Sequence, residues 1–149
     1  MVDVNLKSLI MNTKIAFEFM SNTSGGSGGS IVNISSAAGL YPVPYAPVYS
    51  ATKAGVVAFT KSLKLWKDEY GVSVSCLCPT YVNTPMLESL YGSVDGVNEV
   101  NELGVLSPES VAEAVWQIIQ DPSLHGEVRL INKKNGTVNV KLRVITSKL

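Results

Sequence analysis

Ile31-Val32-Asn33-Ile34-Ser35-Ser36-Ala37-Ala38-Gly39, followed after a loop carrying Pro42 and Pro44 by Pro47-Val48-Tyr49-Ser50-Ala51-Thr52-Lys53, decides how this chain folds. The β-branched run 31–35 has the composition of a short buried strand. Small residues and prolines then break the pattern, and from Val48 a helix is expected to about Tyr70. Val56, Phe59, Leu63 and Trp66 share one side of it, and Ala51, Ala54, Gly55 and Ala58 would let a neighbour approach closely.

The same rhythm extends in both directions. Upstream, Leu6, Leu9, Ile10, Ile15, Phe17 and Met20 recur at mostly helical spacing, which predicts an amphipathic helix over 3–20. The Ser- and Gly-rich stretch 21–30 reads as a flexible surface loop. Downstream, 71–78 alternates and stops at Pro79, as a second strand should. Residues 80–106 look irregular, with one helical turn near 85–90. Ser107-Pro108-Glu109 then announces a helix, with a serine N-cap, proline in the first helical position and an acid in the first turn. Residues 127–131 form a third strand, and Asn135-Gly136 signals a hairpin after it. Helix, strand, helix, strand, helix, strand is the order of right-handed crossovers in a parallel sheet. The expected class is α/β, with about three parallel strands and flanking helices.

Composition narrows the functions. A length of 149 residues allows one domain. Twelve basic residues against twelve acidic ones, with no basic run, give no footprint for a nucleic acid. Apolar runs are too short for a membrane span. The start, Met1-Val2-Asp3, lacks a basic-then-apolar leader, so the expected location is cytoplasmic and reducing. Cys76 and Cys78 then read as buried thiols, His125 as a solvated loop residue, and no metal site is expected.

Tyr49 and Lys53 lie one helical turn apart, so phenol and ammonium project from the same side. A phenol of reference pKa ~10 is a poor base at neutral pH, and a neighbouring cation favours its ionised form. Tyr-x-x-x-Lys by itself equally describes a solvated helix face. Ser35-Ser36, at the end of a buried strand, lies where open α/β sheets form their ligand crevices. Only one of the two serines can face that crevice, and Ser35 is assigned the structural role. Tyr41, Tyr45, Tyr81 and Tyr91 could form a substrate wall or be surface aromatics.

The two quoted stretches, with Cys78-Pro79-Thr80-Tyr81-Val82-Asn83-Thr84-Pro85, resemble the catalytic part of the short-chain dehydrogenase/reductase family. The resemblance implies the C-terminal part of a doubly wound, Rossmann-like sheet, with 1–149 a single partial domain. It implies hydride transfer between a small-molecule secondary alcohol, of hydroxy fatty acid or prostaglandin type, and NAD. Tyr49 would be the acid/base, Ser36 would hydrogen-bond the substrate oxygen, and Lys53 would hold the nicotinamide ribose while tuning Tyr49. Asn5 would hold a water in the proton relay, and Pro79, Val82 and Thr84 would line the nicotinamide carboxamide, Val82 through its backbone. Thr80 stands where the family usually has glycine. Homo-oligomers are implied as well. The phosphate-binding turn of the family has no match here, because Gly25-Gly26-Ser27-Gly28-Gly29 follows a helix and precedes a strand, the reverse of a dinucleotide fingerprint. The chain alone is therefore expected to be inactive. The alternatives are a truncated, non-catalytic or subunit-interaction chain and a hydrolase built on Ser36 and Lys53.

Overall fold

The computed structural model describes residues 1–88, 100–101 and 103–142. Its centre is a four-stranded sheet in the order β1 (Gly29–Ile34), β2 (Val72–Pro79), β5 (Val128–Asn132), β6 (Gly136–Asn139). The first three are parallel, as expected, with Ile31 opposite Val74 and Cys76 opposite Val128. The Asn135-Gly136 turn returns β6 antiparallel to β5, with Asn132 opposite Gly136. Among the described residues β1 pairs only with β2 and forms one edge of the sheet.

Helices cover both faces. On one lie α1 (Ser8–Met20) and α2 (Pro47–Ser62), where Val56 and Val57 bury Cys76, Cys78 and Val128, with Leu6 and Leu9 packed alongside. On the other, α5 (Pro108–Gln120) sets Ala114 and Ile118 against Leu77 and Ile131. Ser107 caps α5 as the sequence indicates, its Oγ accepting the Ser110 N–H at 3.1 Å. The two cysteines are core thiols, alternating onto one face of β2.

Several expectations need correction. Alternation in 71–78 suggests one polar face, yet all eight residues of β2 are buried. The buried serines are satisfied by neighbours: Ser73 Oγ lies 3.0 Å from Ser30 Oγ, and Ser75 Oγ accepts the Gly126 N–H at 3.0 Å. The helix expected to Tyr70 ends at Ser62, and a separate α3 (Trp66–Tyr70) follows. Beyond the break Trp66 packs on Phe17, with ring centroids 3.9 Å apart, and within α2 the buried Lys61 pairs with Glu127 at 3.7 Å. The stretch 21–30 is fitted rather than loose. Ser21 is fully buried, and a Cβ on Gly28, whose φ is +79°, would sit 2.6 Å from the Gly71 carbonyl oxygen. His125, just after the short turn Pro122–Leu124, is half-buried, with Nε2 3.5 Å from Ser30 Oγ.

Within 80–106 a second, two-stranded parallel sheet, unforeseen in the sequence, pairs β3 (Tyr81–Val82) with β4 (Val105–Leu106). The helical turn there is α4 (Pro85–Glu88). Tyr91 lies outside the described residues.

Candidate active site

The carboxyl ends of β1 and β2 gather the residues singled out in the sequence. β1 ends at Ile34, and its carbonyl accepts a hydrogen bond from Lys53 Nζ at 3.2 Å. The same ammonium lies 5.7 Å from the centre of the Tyr49 ring, so the one-turn spacing on α2 does place cation and phenol together. Ser35 is buried and structural, donating from Oγ to the Lys53 carbonyl at 2.8 Å and so fastening α2 to the strand end. Ser36 is half-buried. Its Oγ accepts the Ala38 N–H at 3.2 Å, which leaves the hydroxyl proton available to another acceptor.

Behind the two serines lies the buried cysteine pair. The two sulfurs lie 3.8 Å apart, and the Cys76 contact holds the Cys78 thiol below the ordinary range against the opposing effect of desolvation. The same contact, together with desolvation, pushes Cys76 up instead.

Asn5 reaches this assembly by an unusual backbone. Asp3–Lys7 is a π-helical turn leading directly into α1, a feature with no marker in the sequence pattern. The Asn5 amide donates to Thr52 Oγ1 at 3.4 Å, and Thr52 in turn donates to the Tyr49 carbonyl at 2.7 Å. Gly55 allows this approach: a Cβ there would meet Leu6 Cδ2 at 3.0 Å. Thr52 was missed in the sequence, although its place between Tyr49 and Lys53 was the available signal.

The segment after β2 carries the remaining residues. Pro79 ends the strand, Val82 lies in β3, and Thr84 Oγ1 donates to the Val82 carbonyl at 3.3 Å. Thr80 is tied to β5 through its N–H to the Ile131 carbonyl at 3.0 Å, while its Oγ1 is buried with no hydrogen-bond partner among the described residues. Tyr45 and Tyr81 meet across the same edge, hydroxyl to hydroxyl at 3.0 Å. The glycine run enters the amino end of β1 and therefore lies at the opposite edge of the sheet.

Burial lowers the pKa of Lys53 from the ordinary lysine value of 10.5, against a smaller upward pull from Cys76 and Cys78. Between the lowered value and 10.5 the unfolded chain binds more protons than the folded one, so Lys53 makes stability rise with pH across that interval. Denaturant midpoints measured over an alkaline pH series should climb more steeply for the natural chain than for Lys53→Met. Equal slopes would show that burial does not act on this ammonium.

The fold is a doubly wound α/β arrangement of the Rossmann type, with these polar side chains at the carboxyl edge of its parallel strands. The family model described as short chain dehydrogenase matches residues 1–94, and the chain belongs to that family. Among individual proteins, it is 34% identical over 147 residues to 15-hydroxyprostaglandin dehydrogenase [NAD(+)] of Rattus norvegicus, covering 91% of this chain and 55% of that protein. The Homo sapiens protein of the same name is 35% identical over the same length. Alcohol dehydrogenase 1 of Ceratitis capitata is 41% identical over 91 residues, covering 60% of this chain and 35% of that protein. The chain thus spans about half the length of the curated relatives that match nearly all of it. A solved 4-hydroxyisoleucine dehydrogenase complexed with NADH superposes with a TM-score of 0.75 at 20% identity, over 87% of this chain and 55% of that one, which establishes the likeness of fold. No helix among the described residues is long and apolar enough to cross a membrane.

Proposed function

We propose that this chain carries the proton-transfer and nicotinamide-facing part of an NAD-dependent alcohol dehydrogenase, acting on a small secondary alcohol or its ketone. The observation that carries the reading is Lys53, held between the Ile34 carbonyl and the Tyr49 ring at the strand ends. In this assignment Tyr49 takes the hydroxyl proton of the alcohol, and Ser36 donates its free proton to the same oxygen. Lys53 lies over the Tyr49 ring and keeps further N–H donors for ribose hydroxyls. Asn5, fixed through Thr52, holds a water that relays the proton.

The nicotinamide end has residues that fit it. Pro79, Val82 and Thr84 would line the carboxamide, and the unpartnered Thr80 Oγ1 offers a further hydrogen bond in the position where the family usually has glycine. NAD bound there supplies the hydride acceptor. The pyrophosphate end has no Gly-rich turn at the carboxyl edge among the described residues, so we assign the chain a partial domain that is inactive by itself. Relatives named for prostaglandins favour a hydroxy fatty acid or prostaglandin-like alcohol. Met11, Ile15 and Phe19 lie exposed at four-residue spacing on α1 and favour assembly with further copies. The hydrolase alternative is disfavoured because no hydrogen bond joins the Ser36 hydroxyl to the Lys53 ammonium among the described residues.

Calorimetry with NAD tests the proposal on the 149-residue chain and on the same chain joined to the preceding half of a relative. The joined protein should bind NAD, and the shorter one should not. Absence of binding by a folded joined protein would remove the dehydrogenase reading. Micromolar binding by the chain alone would show that it has its own phosphate site.

A further inference from the structure

A cavity of about 370 Å³ opens beyond the nicotinamide-facing loop, between the segment that carries Asn83, Thr84 and Leu87, the β4 end at Leu106, and Lys133 in the β5–β6 turn. Its volume is at the lower end of the ~300–1,000 Å³ typical of small-molecule sites. Leu87 and Leu106 are buried and supply an apolar wall. The lining hydroxyls are already occupied: Thr84 Oγ1 donates to Val82, and Ser107 Oγ accepts from Ser110. Two polar groups are left over. The Asn83 backbone N–H is used by the Leu106 carbonyl at 2.9 Å, but its side-chain amide has no partner among the described residues. Lys133 forms no ion pair among them, and no carboxylate belongs to the described lining.

The stem of Lys133 runs past Gly104 at the rim of the cavity. A Cβ on Gly104 would meet the Lys133 side chain at Cβ, Cδ and Cγ between 3.3 and 3.5 Å, so the aliphatic stem lies against the Gly104 backbone. A cation and an unpaired amide at the rim of an apolar wall are complementary to one end of an amphiphile. A phosphate would need more donors and would gain nothing from Leu87 and Leu106.

We propose that this cavity binds the carboxylate of an acid with an aliphatic tail, with Lys133 as the counter-charge and the Asn83 amide as the second donor. The proposal deepens the dehydrogenase reading, since Thr84 belongs both to the cavity and to the loop assigned to the nicotinamide. On that reading the substrate is a hydroxy acid gripped by its carboxylate. Binding itself requires neither NAD nor turnover.

Equilibrium dialysis of the 149-residue chain against labelled octanoate is the test, because it reads binding whatever the association state of the protein. Saturable binding is expected, weakened about tenfold in Lys133→Gln and retained in Lys133→Arg, with octan-1-ol weaker than octanoate by a similar factor. Lys133 is exposed, so neither variant should disturb folding, and far-UV circular dichroism checks this. Inorganic phosphate should not compete. Absence of saturable octanoate binding, equal affinity in Lys133→Gln, or displacement by phosphate at equal concentration would each overturn the proposal. Failure of the NAD experiment would leave this result standing, and the reverse also holds.

Discussion

Tyr49→Phe is expected to lower kcat for alcohol oxidation by about 10²–10⁴-fold in the protein that joins this chain to a cofactor-binding half, the range that a positioned acid/base contributes. The affinity for NAD should hardly change. The substitution removes one oxygen and keeps the ring, so the contact between the Lys53 ammonium and the aromatic face at 5.7 Å persists. Thr52 still bonds the backbone carbonyl at position 49, and Lys53 still bonds Ile34. A loss confined to kcat would therefore report the missing proton acceptor rather than a displaced helix. Steady-state absorbance of NADH against alcohol concentration separates the two parameters. Retention of most of the turnover would mean that another group takes the proton.

Asn33→Ala should destabilise the folded chain by about 3 kcal/mol, through loss of a buried hydrogen-bond bridge. Asn33 accepts from Thr13 Oγ1 at 3.1 Å and donates to Thr60 Oγ1 at 3.0 Å. All three residues are buried, and they belong to α1, β1 and α2, the elements leading to Asn5, Ser36 and Tyr49. Alanine leaves two hydroxyls without this partner away from water, each costing about 1–3 kcal/mol, and adds a small void. Urea unfolding gives the figure. A change below about 1 kcal/mol would show that the hydroxyls find other acceptors.

Much of this architecture was written in short-range patterns. The β-branched run at 31–35, the Ser107-Pro108 helix start and the Asn135-Gly136 turn each encode their own geometry, so the three parallel strands, the α5 start and the hairpin follow from local chemistry. Tyr49 and Lys53 were legible because helical spacing alone sets their juxtaposition. What could not be read depends on neighbours distant in sequence. Ser73 and Ser75 look solvent-facing until Ser30 and Gly126 arrive to satisfy them. Helix α2 stops at Ser62, and the Trp66 beyond it packs on Phe17, which is far away in the chain. The π-turn at Asn5 and the pairing of β3 with β4 have no composition of their own. The cavity at Lys133 is likewise invisible, since it is formed by segments spread over about a third of the chain. Glycines 25–29 misled in a simpler way: glycine permits looseness, and equally permits a backbone contact too close for any side chain.

The edge position of β1 gives the sheet a direction of growth. A strand laid beside it in the same sense would end next to Ser36, lengthening the crevice wall at the Lys53 side. One laid in the opposite sense would present its beginning there and send its own end towards the glycine turn. Hydrogen bonding can accept either orientation, but only the first brings a strand-to-helix connection to the reacting side. Pairing two copies through β1 about a twofold axis is of the second kind, so self-association by this edge would satisfy the backbone while leaving the crevice unextended. The edge thus separates two outcomes that look alike in a sedimentation experiment: a complement that builds a site and a duplicate that only hides one.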